Sequence, residues 1–466
     1  MKGETRMKFN KWLSIAMVVV IATAVAACGK KEETPQTGGA AGGQANTTPD
    51  TVKVWTYPVH GKYEDDIKLL VADFNKTYPH IKVEYEVMSW AEGPKKFDVA
   101  LNAGNPPDLY FGGMNGQYVN TGLAMPIDSY MTDEIKKDFL PGTLDTMKFG
   151  GKQYGMPLYQ SLWGWGANKR ILEEAGVDYK KIQENGWTWD EFLEAAKKLG
   201  KKLPNGTQQY ALVTDGTSID FLDMITRNAG LVDAVDEKGN FIWNDSKISD
   251  AITFINKLVK DGILPKETVA LQPAKRSEMF YAGQAAIISK AIPYYDVMIA
   301  NRNKDIDSGK VQGEKIEYIQ LPVPHSASVK GYGVTTGGGE GYVAFTQKGA
   351  TNEQHKKNVF LVMEALSGAQ AGNSANELCL PFVRTSQAKA FEGKGLAKDI
   401  NFTVSKKMRE NLAPQVALSI DVDKAAKLKQ YREQVEKPVF QALLAGEKAP
   451  EAAVEELKTK GQQMLR

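Results

Sequence analysis

The strongest constraint on the fold is an alternation of strand-like and helix-like segments between residues 52 and 113. Residues 52–57 (VKVWTY) and 81–87 (IKVEYEV) alternate apolar and polar side chains, as half-buried strands do. Apolar residues at helical spacing follow each of them, and a short third strand at residues 109–111 precedes two glycines. This β-α-β-α-β order predicts an open α/β sheet, in which ligands bind beyond the carboxyl ends of the strands.

Further elements are predicted from start signals and apolar periodicity. Thr188 is followed three residues later by Glu191, the capping-box spacing that opens a helix. The other predicted elements are a helix at 248–259, strands at 285–289, 316–321 and 342–345, and helices at 353–366 and 424–444. At roughly 150 residues per domain, a chain of 466 residues should form about three domain-sized units or two large lobes.

Composition excludes several classes of protein. The chain has 58 Lys and Arg against 56 Asp and Glu, and removal of residues 1–27 leaves 54 against 55. A nucleic-acid-binding protein normally carries a basic excess, so no nucleic-acid partner is expected. Two cysteines cannot build a disulfide framework, and four histidines argue against a His-built metal site. We therefore expect no metal and no cofactor, and a buried, unreactive Cys379 between two leucines.

The N-terminus has the pattern of an export signal. Lys8 and Lys11 precede an uncharged run at residues 12–27, which is shorter than the about 20 apolar residues of a membrane span. Small residues before Cys28 resemble a bacterial lipobox, which implies cleavage of residues 1–27 and a lipid on the Cys28 sulfur. The alternative is a plain signal peptide followed by an incidental cysteine.

The segment that follows the cysteine supports the lipoprotein interpretation. Residues 28–50 are rich in Gly, Thr, Pro, Gln and charged residues and contain no aromatic side chain. Such a segment cannot bury a core, and it would serve as a disordered tether between an anchor and a folded domain. The predicted location is therefore the outer face of the bacterial cytoplasmic membrane.

Six motifs, in order, resemble those of one protein family. They are FNKTYPHIKV at 74–83, ALNAGNPPD at 100–108, YGMP at 154–157 with Asn-Lys at 168–169, WTWDEF at 187–192, MFYAGQAAI at 279–287, and Ala-Gly at 445–446 with Ala-Ala at 452–453. Together they are similar to the extracellular solute-binding proteins of sugar-type ABC importers, the maltose-binding-like family. The resemblance covers residues 52–465.

The resemblance implies an α/β, two-lobed periplasmic-binding-protein-like fold of class II, with a hinge and a ligand cleft between the lobes. By analogy the N-lobe comprises residues 51–163 and 321–366, and the C-lobe comprises 164–320 and 367–466. The implied function is non-catalytic: a monomeric, lipid-anchored protein captures a carbohydrate, such as an oligosaccharide or a uronate, by hinge closure and delivers it to an ABC permease.

A sugar site needs flat aromatic rings for the C–H faces and planar polar groups for the hydroxyls. The aromatic candidates near expected cleft edges are Trp55, Tyr57, Trp90, Trp163, Trp165, Tyr294 and Tyr295. The other candidates are Gly113, Gln160, Asp215, Asp220, Arg227, Asn228, Lys290, Glu340 and Arg384. If Lys290 and Arg384 both face the cleft, an anionic sugar becomes plausible. Glycines 337–339 indicate a loop with close backbone approach.

Two other functions are compatible with the sequence. A surface enzyme acting on polysaccharides would use a pair of carboxylates, which are abundant, but none is singled out by its spacing. An anchored sensor with the same fold would have the same sequence features as an importer component. Binding of a saccharide without its turnover would argue against the surface enzyme. A permease gene beside this gene would argue against the anchored sensor.

Overall fold

The computed structural model describes residues 48–90, 92–349, 351–394 and 399–465. The predicted signal peptide, Cys28 and most of the predicted tether lie outside the described residues. Within the described part of the chain, no helix combines the length and the hydrophobicity needed to span a membrane.

The strands of the described residues are numbered in chain order. They are β1 (Asp50–Thr56), β2 (Ile81–Val87), β3 (Leu109–Gly112), β4 (Lys148–Phe149), β5 (Lys152–Gln153), β6 (Gly155–Asn168), β7 (Lys201–Lys202), β8 (Gln208–Val213), β9 (Ala285–Ala291), β10 (Tyr318–Leu321) and β11 (Thr336–Ala344).

The α-helices are numbered in the same way. They are α1 (Tyr63–Thr77), α2 (Gly93–Asn102), α3 (Gly116–Asn120), α4 (Asp133–Asp138), α5 (Lys169–Glu174), α6 (Tyr179–Asn185), α7 (Trp189–Leu199), α8 (Asp220–Arg227), α9 (Ser246–Lys260), α10 (Pro273–Tyr281), α11 (Tyr295–Asp307), α12 (Glu353–Ser367), α13 (Asn373–Glu377), α14 (Thr385–Ala390), α15 (Asp399–Glu410), α16 (Val422–Tyr431), α17 (Lys437–Leu444) and α18 (Pro450–Met464).

Most predicted elements are confirmed, and two differ. The capping box is present, because the Thr188 side chain accepts from the Glu191 backbone N–H and the Glu191 side chain accepts from the Thr188 N–H. The strand predicted at 342–345 begins earlier, at Thr336, so that the three glycines lie in β11 rather than in a loop. The helix predicted at 424–444 is divided by a π-helical turn at Arg432–Glu436.

One long strand, β6, joins the two halves of the sheet. The strand order is β2-β1-β3-β11-β6-β9-β8-β7, with β10 also paired to β6. β6 pairs with β11 through residues 155–163 and with β9 and β10 through residues 164–168. The register between β6 and β9 shifts between Gly164 and Gly166. The chain therefore changes from one half of the fold to the other at Trp163 and Gly164.

Three hydrophobic cores surround this sheet. The first core draws its side chains from between Val52 and Leu162 and between Tyr342 and Met408. The second core runs from Trp165 to Leu264 and includes the C-terminal side chains from Ile420 to Leu465. A smaller third core holds side chains between Val213 and Tyr318.

The residues of the first core come from both lobes as the resemblance divides the chain. Leu378, Val383 and Met408 pack in the first core, whereas residues 367–466 as a whole were assigned to the C-lobe. Residues 412–419, which we call the crossing segment, separate this first-core part from the second-core part that begins at Ile420. Ala375 of α13 packs in the same core as Val359 and Met363 of α12. The lobe boundaries taken from the resemblance stay a prediction.

Candidate ligand-binding site

A cavity of about 260 Å³ lies where the two cores meet, and we call it the Trp163 cavity. Met114 comes from the first core, and Thr336 and Gly337 come from β11. The other lining residues are Trp163, Asp220, Asp223, Arg227, Asp233, Ala413, Pro414, Gln415, Ala417, Leu418 and Arg432. The cavity is therefore built from both halves of the fold and from the crossing segment.

A second cavity of about 490 Å³, the Gln160 cavity, is also lined by the crossing segment. The two cavities share Ala413, Pro414, Gln415 and Leu418. The remaining lining residues are Gly142, Asp145, Thr146, Lys148, Gly151, Gln160, Leu412 and Ser419. The crossing segment is thus a common wall, and a long ligand that contacts both cavities would pass along it.

The crossing segment is held against the edge of β11. The Thr335 N–H donates to the Asn411 carbonyl (2.9 Å), and the Ala413 N–H donates to the Thr335 carbonyl (2.8 Å). The Gln415 amide donates to the Gly337 carbonyl at 2.8 Å. A Cβ at Gly338 would lie 2.0 Å from the Gln415 amide nitrogen, so a side chain there would displace Gln415. The predicted close approach at the three glycines is confirmed.

Trp163 presents its ring to the first cavity because of its position on β6. It pairs with Thr336 on β11, and it is half-buried against the second core. The Lys290 ammonium lies 5.3 Å from the centroid of the Trp163 ring, a cation–π distance. The exposed part of the ring offers a flat apolar surface at the cavity.

Charged side chains cover one side of this cavity. The Arg432 guanidinium donates to both carboxylate oxygens of Asp233 at 2.8 Å, and Arg227 donates to the same carboxylate at 3.3 Å. Burial opposes ionisation of Asp233, but the two guanidinium groups more than offset burial and lower its pKa. Asp223 lies 3.9 Å from Arg432. The positive charges of Arg227 and Arg432 are therefore balanced by the carboxylates of Asp223 and Asp233 on this side of the cavity.

Comparison with known proteins decides the family. A family model described as bacterial extracellular solute-binding protein matches residues 60–372 of the chain. This chain belongs to that family. Solute-binding proteins as a class are not enzymes. The absence of a catalytic role in this chain stays a prediction.

Individual relatives of this solute-binding protein are more distant. A binding protein of Brucella abortus is 32% identical over 162 residues, 34% of this chain and 37% of that protein. An arabinooligosaccharide-binding protein of Halalkalibacterium halodurans is 23% identical over 247 residues, 52% of this chain and 53% of that protein. The chain thus spans about half or less of the length of these curated relatives.

A solved structure matches nearly the whole folded part of the solute-binding protein. It is an ABC transporter solute-binding protein of Thermotoga lettingae bound with α-D-tagatose, with a TM-score of 0.71 and 19% identity. The match covers 90% of this chain and 100% of that one. The predicted two-lobed α/β fold is confirmed by this likeness.

The structure brings only part of the predicted site of this solute-binding protein together. Trp163 and Arg227, with Asp220, line the first cavity, and Gln160 lines the second. Lys290 contacts the first cavity's wall through Trp163 and Asp220. Ligand contact by these residues stays a prediction, but their placement at the junction of the two cores supports it.

Five predicted side chains are buried away from the cavities. Trp165 has no exposed surface and packs edge-on against Trp187 and Phe192. Arg384 is held by the Glu364 carboxylate at 2.8 Å. The others are Asn228, bonded to the backbone of Met224 and Val334; Asp215, paired with Arg276 at 2.7 Å; and Tyr295, stacked on Tyr318. None of these five residues lines either cavity, so neither cavity supports ligand contact by them, which stays a prediction.

The remaining predicted residues of the solute-binding protein lie outside both cavities. Tyr57 is buried and stacks on Trp90 with a centroid distance of 4.2 Å. Trp55 is half-buried beneath the Lys96 ammonium, 4.4 Å from its ring. The others are Gly113, which is exposed; Tyr294, which packs on the first core; and Glu340, which accepts from Tyr159 and Ser161. Trp55, which lies on β1, packs against the first core and lines neither cavity.

Sequence reasoning missed Asp223, Asp233, Gln415 and Arg432. A signal existed for two of them, because Asp223 is one helical turn before Arg227, and Arg432 is one turn before Glu436. Opposite charges at this spacing inside apolar helices are a recognisable pattern. No local signal marks Gln415, whose place depends on a contact with Gly337, 78 residues earlier.

Proposed function

We propose that this solute-binding protein captures a saccharide in the cavities between its cores and delivers it to the permease of an ABC importer. The observation that carries the proposal is the half-buried Trp163 ring at a cavity that charged and polar side chains also line. An aromatic face suits the C–H side of a pyranose, and carboxylate, guanidinium and amide groups suit its hydroxyls.

The proposed ligand is an oligosaccharide. The two cavities share four residues of the crossing segment, so sugar units bound in both cavities would contact the same segment. One relative is named for an arabinooligosaccharide, which supports a ligand of more than one unit. The tagatose bound by the Thermotoga lettingae protein is a single sugar, and a test must therefore include monosaccharides.

The proposed location is the outer face of the cytoplasmic membrane, with a lipid on Cys28. The sequence motif before Cys28 and the polar segment after it support this proposal. A Cys28→Ala variant should move from the membrane fraction to the soluble or secreted fraction, since an acyl anchor is its only proposed attachment. Membrane association equal to that of the wild type would contradict the anchor.

The test of ligand capture is calorimetric titration of the wild type and Trp163→Ala with arabino-, malto- and chito-oligosaccharides and their monosaccharides. Stacking on an aromatic ring is worth about 1–3 kcal/mol for nucleobases. On that scale Trp163→Ala should weaken binding about 5- to 150-fold. Its unfolding free energy should fall by less than the ~3–5 kcal/mol of a fully buried Trp→Ala.

Tyr281→Ala is the matched control. Tyr281 is also half-buried beneath a cation, because the Arg302 guanidinium lies 5.6 Å from its ring, but it packs on the third core. This variant should lose stability without losing affinity. Unchanged affinity of Trp163→Ala together with a large stability loss would show that Trp163 is a core residue.

A further inference from the structure

Lys290 has an unusual backbone conformation next to the Trp163 cavity. Its φ is 51°, and among the described non-glycine residues only Cys379 shares a positive φ. A residue with a Cβ is strained in the left-handed region, so surrounding contacts must hold it there. Residues with such strained backbone are concentrated at functional sites, so the contacts of the Lys290 side chain are relevant to ligand binding.

The Lys290 ammonium contacts two residues of the Trp163 cavity, the Asp220 carboxylate and the Trp163 ring. It forms an ion pair with the Asp220 carboxylate, lies 3.9 Å from the Asp215 carboxylate and lies 3.4 Å from the Ser218 hydroxyl. Ser218 in turn donates to Asp220 at 2.8 Å. The Lys290 side chain is 14% exposed, and its ammonium lies over the Trp163 ring. The cation is therefore placed beside the proposed sugar platform and is already neutralised.

The other cations at the two cavities are neutralised as well. Arg227 and Arg432 both pair with Asp233 in the Trp163 cavity. Lys148, which lines the Gln160 cavity, lies 2.5 Å from Asp145. Within the described residues that line these cavities, every Lys and Arg has a carboxylate partner. Arg384, the other cation on which an anionic ligand would depend, is buried with Glu364.

We propose that Asp220 is a specificity-determining residue: by holding the Lys290 ammonium it makes the site select neutral saccharides and reject acidic ones. This inference rests on the proposed saccharide-binding function and narrows it. A uronate carboxylate at this position would have to displace Asp220 from Lys290, which leaves two like charges close together. Specificity obtained through such an unfavourable arrangement is a recognised alternative to added attractive contacts.

The test compares neutral malto-oligosaccharides with the same oligosaccharides oxidised at C6 to the uronate, by calorimetric titration. The wild type should bind the neutral compound at least about tenfold more tightly, the ratio given by 1.4 kcal/mol. Asp220→Asn removes the nearer carboxylate from the Lys290 ammonium, keeps the side-chain shape and leaves only Asp215 at 3.9 Å, so it should reduce that preference by at least about tenfold. Asp73→Asn, an exposed change of the same net charge on α1, should leave the preference unchanged.

A second variant keeps the proposal testable if Asp220→Asn does not fold. Lys290→Met removes the cation and leaves the Asp220 carboxylate unpaired, so it should reject uronates more strongly than the wild type does. Equal or tighter binding of uronates by the wild type would overturn the role of Asp220 while leaving saccharide capture intact. Binding of no saccharide at all would refute the proposed function and this inference with it.

Discussion

The two sides of the Trp163 cavity differ in how they hold their polar groups. One side, the charged wall, consists of Asp220, Asp223, Arg227, Asp233 and Arg432. The other side, the uncharged wall, consists of Met114, Thr336, Gly337 and the crossing segment. On β11, which supplies part of the uncharged wall, the Glu340 carboxylate has hydroxyl partners instead of cations: Tyr159 donates to it at 2.6 Å and Ser161 donates at 2.9 Å.

The ion pairs of the charged wall should hold their side chains more firmly than hydroxyl hydrogen bonds hold those of the uncharged wall. A charge taken out of water needs a partner, and loss of the partner leaves an uncompensated buried charge. A hydroxyl bond contributes only about 1 kcal/mol, and its loss is more easily tolerated. The charged wall should therefore be pre-arranged and sensitive to substitution, whereas the uncharged wall should tolerate changes and adapt to the ligand.

The largest effect is expected behind the charged wall, at Asp215. This carboxylate is fully buried, pairs with Arg276 at 2.7 Å and lies 3.9 Å from Lys290. Asp215→Asn leaves Arg276 buried without its counter-charge, so the unfolding free energy should fall by about 3–5 kcal/mol. Chemical denaturation measures this loss. A change below 1 kcal/mol would contradict the view that ion pairing fixes this wall.

A smaller effect is expected far from the cavity, at His355. Its imidazole lies 3.1 Å from the Asp108 carboxylate and 2.9 Å from the Asp50 carboxylate. The two carboxylates raise the pKa of His355 to about 9, although burial alone would lower it. Because the folded pKa exceeds the ordinary value of about 6.5, the stabilisation is complete below pH 6.5 and is lost as pH rises through 9. Partial exposure limits the effect to about 1–2 kcal/mol.

The measurement is denaturation of the wild type and His355→Gln from pH 6 to pH 10. The wild type should lose stability across this range, and the variant should be less stable at pH 6 and show little of the decline. Saccharide affinity of the variant should equal that of the wild type, since His355 lies outside both cavities. A parallel loss of affinity would show that charge pairs remote from the cavity also shape it.

The smallest effect is expected behind the uncharged wall, at Glu340. Burial raises the pKa of its carboxyl, and the hydroxyls of Tyr159 and Ser161 only partly oppose this. A raised carboxyl pKa means that the protonated form suits the folded state, so stability declines as pH rises through the folded value. Glu340→Gln should change stability by less than about 1 kcal/mol at pH 7 and remove this decline. Destabilisation as large as that of Asp215→Asn would erase the difference between the walls.

Local sequence signals predicted most elements of the fold. The Thr188 capping box, the alternation of β1 and β2, and the helix from Ser246 to Lys260 all depend on neighbouring residues, and each is confirmed. The π-helical turn at Arg432–Glu436 was not predictable, because apolar periodicity continues through it. Its effect is to place Arg432 against Asp233, a residue almost 200 positions earlier in the chain.

The candidate site was less predictable than the fold. Arg384 and Lys290 both follow apolar segments, and the sequence gives no reason to treat them differently. In the structure Arg384 meets Glu364 inside the first core, and Lys290 meets Asp220 at the cavity. Which carboxylate a cation finds depends on helices distant in sequence, and no local pattern encodes that choice.

Trp163 and Trp165 show what the sequence does not determine about the candidate site. Trp163 and Trp165 are two residues apart in β6, so strand alternation alone places them on the same face. Their sequence determines that both are aromatic side chains in the strand that joins the two halves of the sheet. Tertiary packing decides the rest: Phe192 and Phe221 of the second core cover Trp165, while Trp163 lies one step earlier, at the junction of the cores. A strand fixes the direction of a side chain, but distant elements determine whether that direction ends in a core or in a cavity.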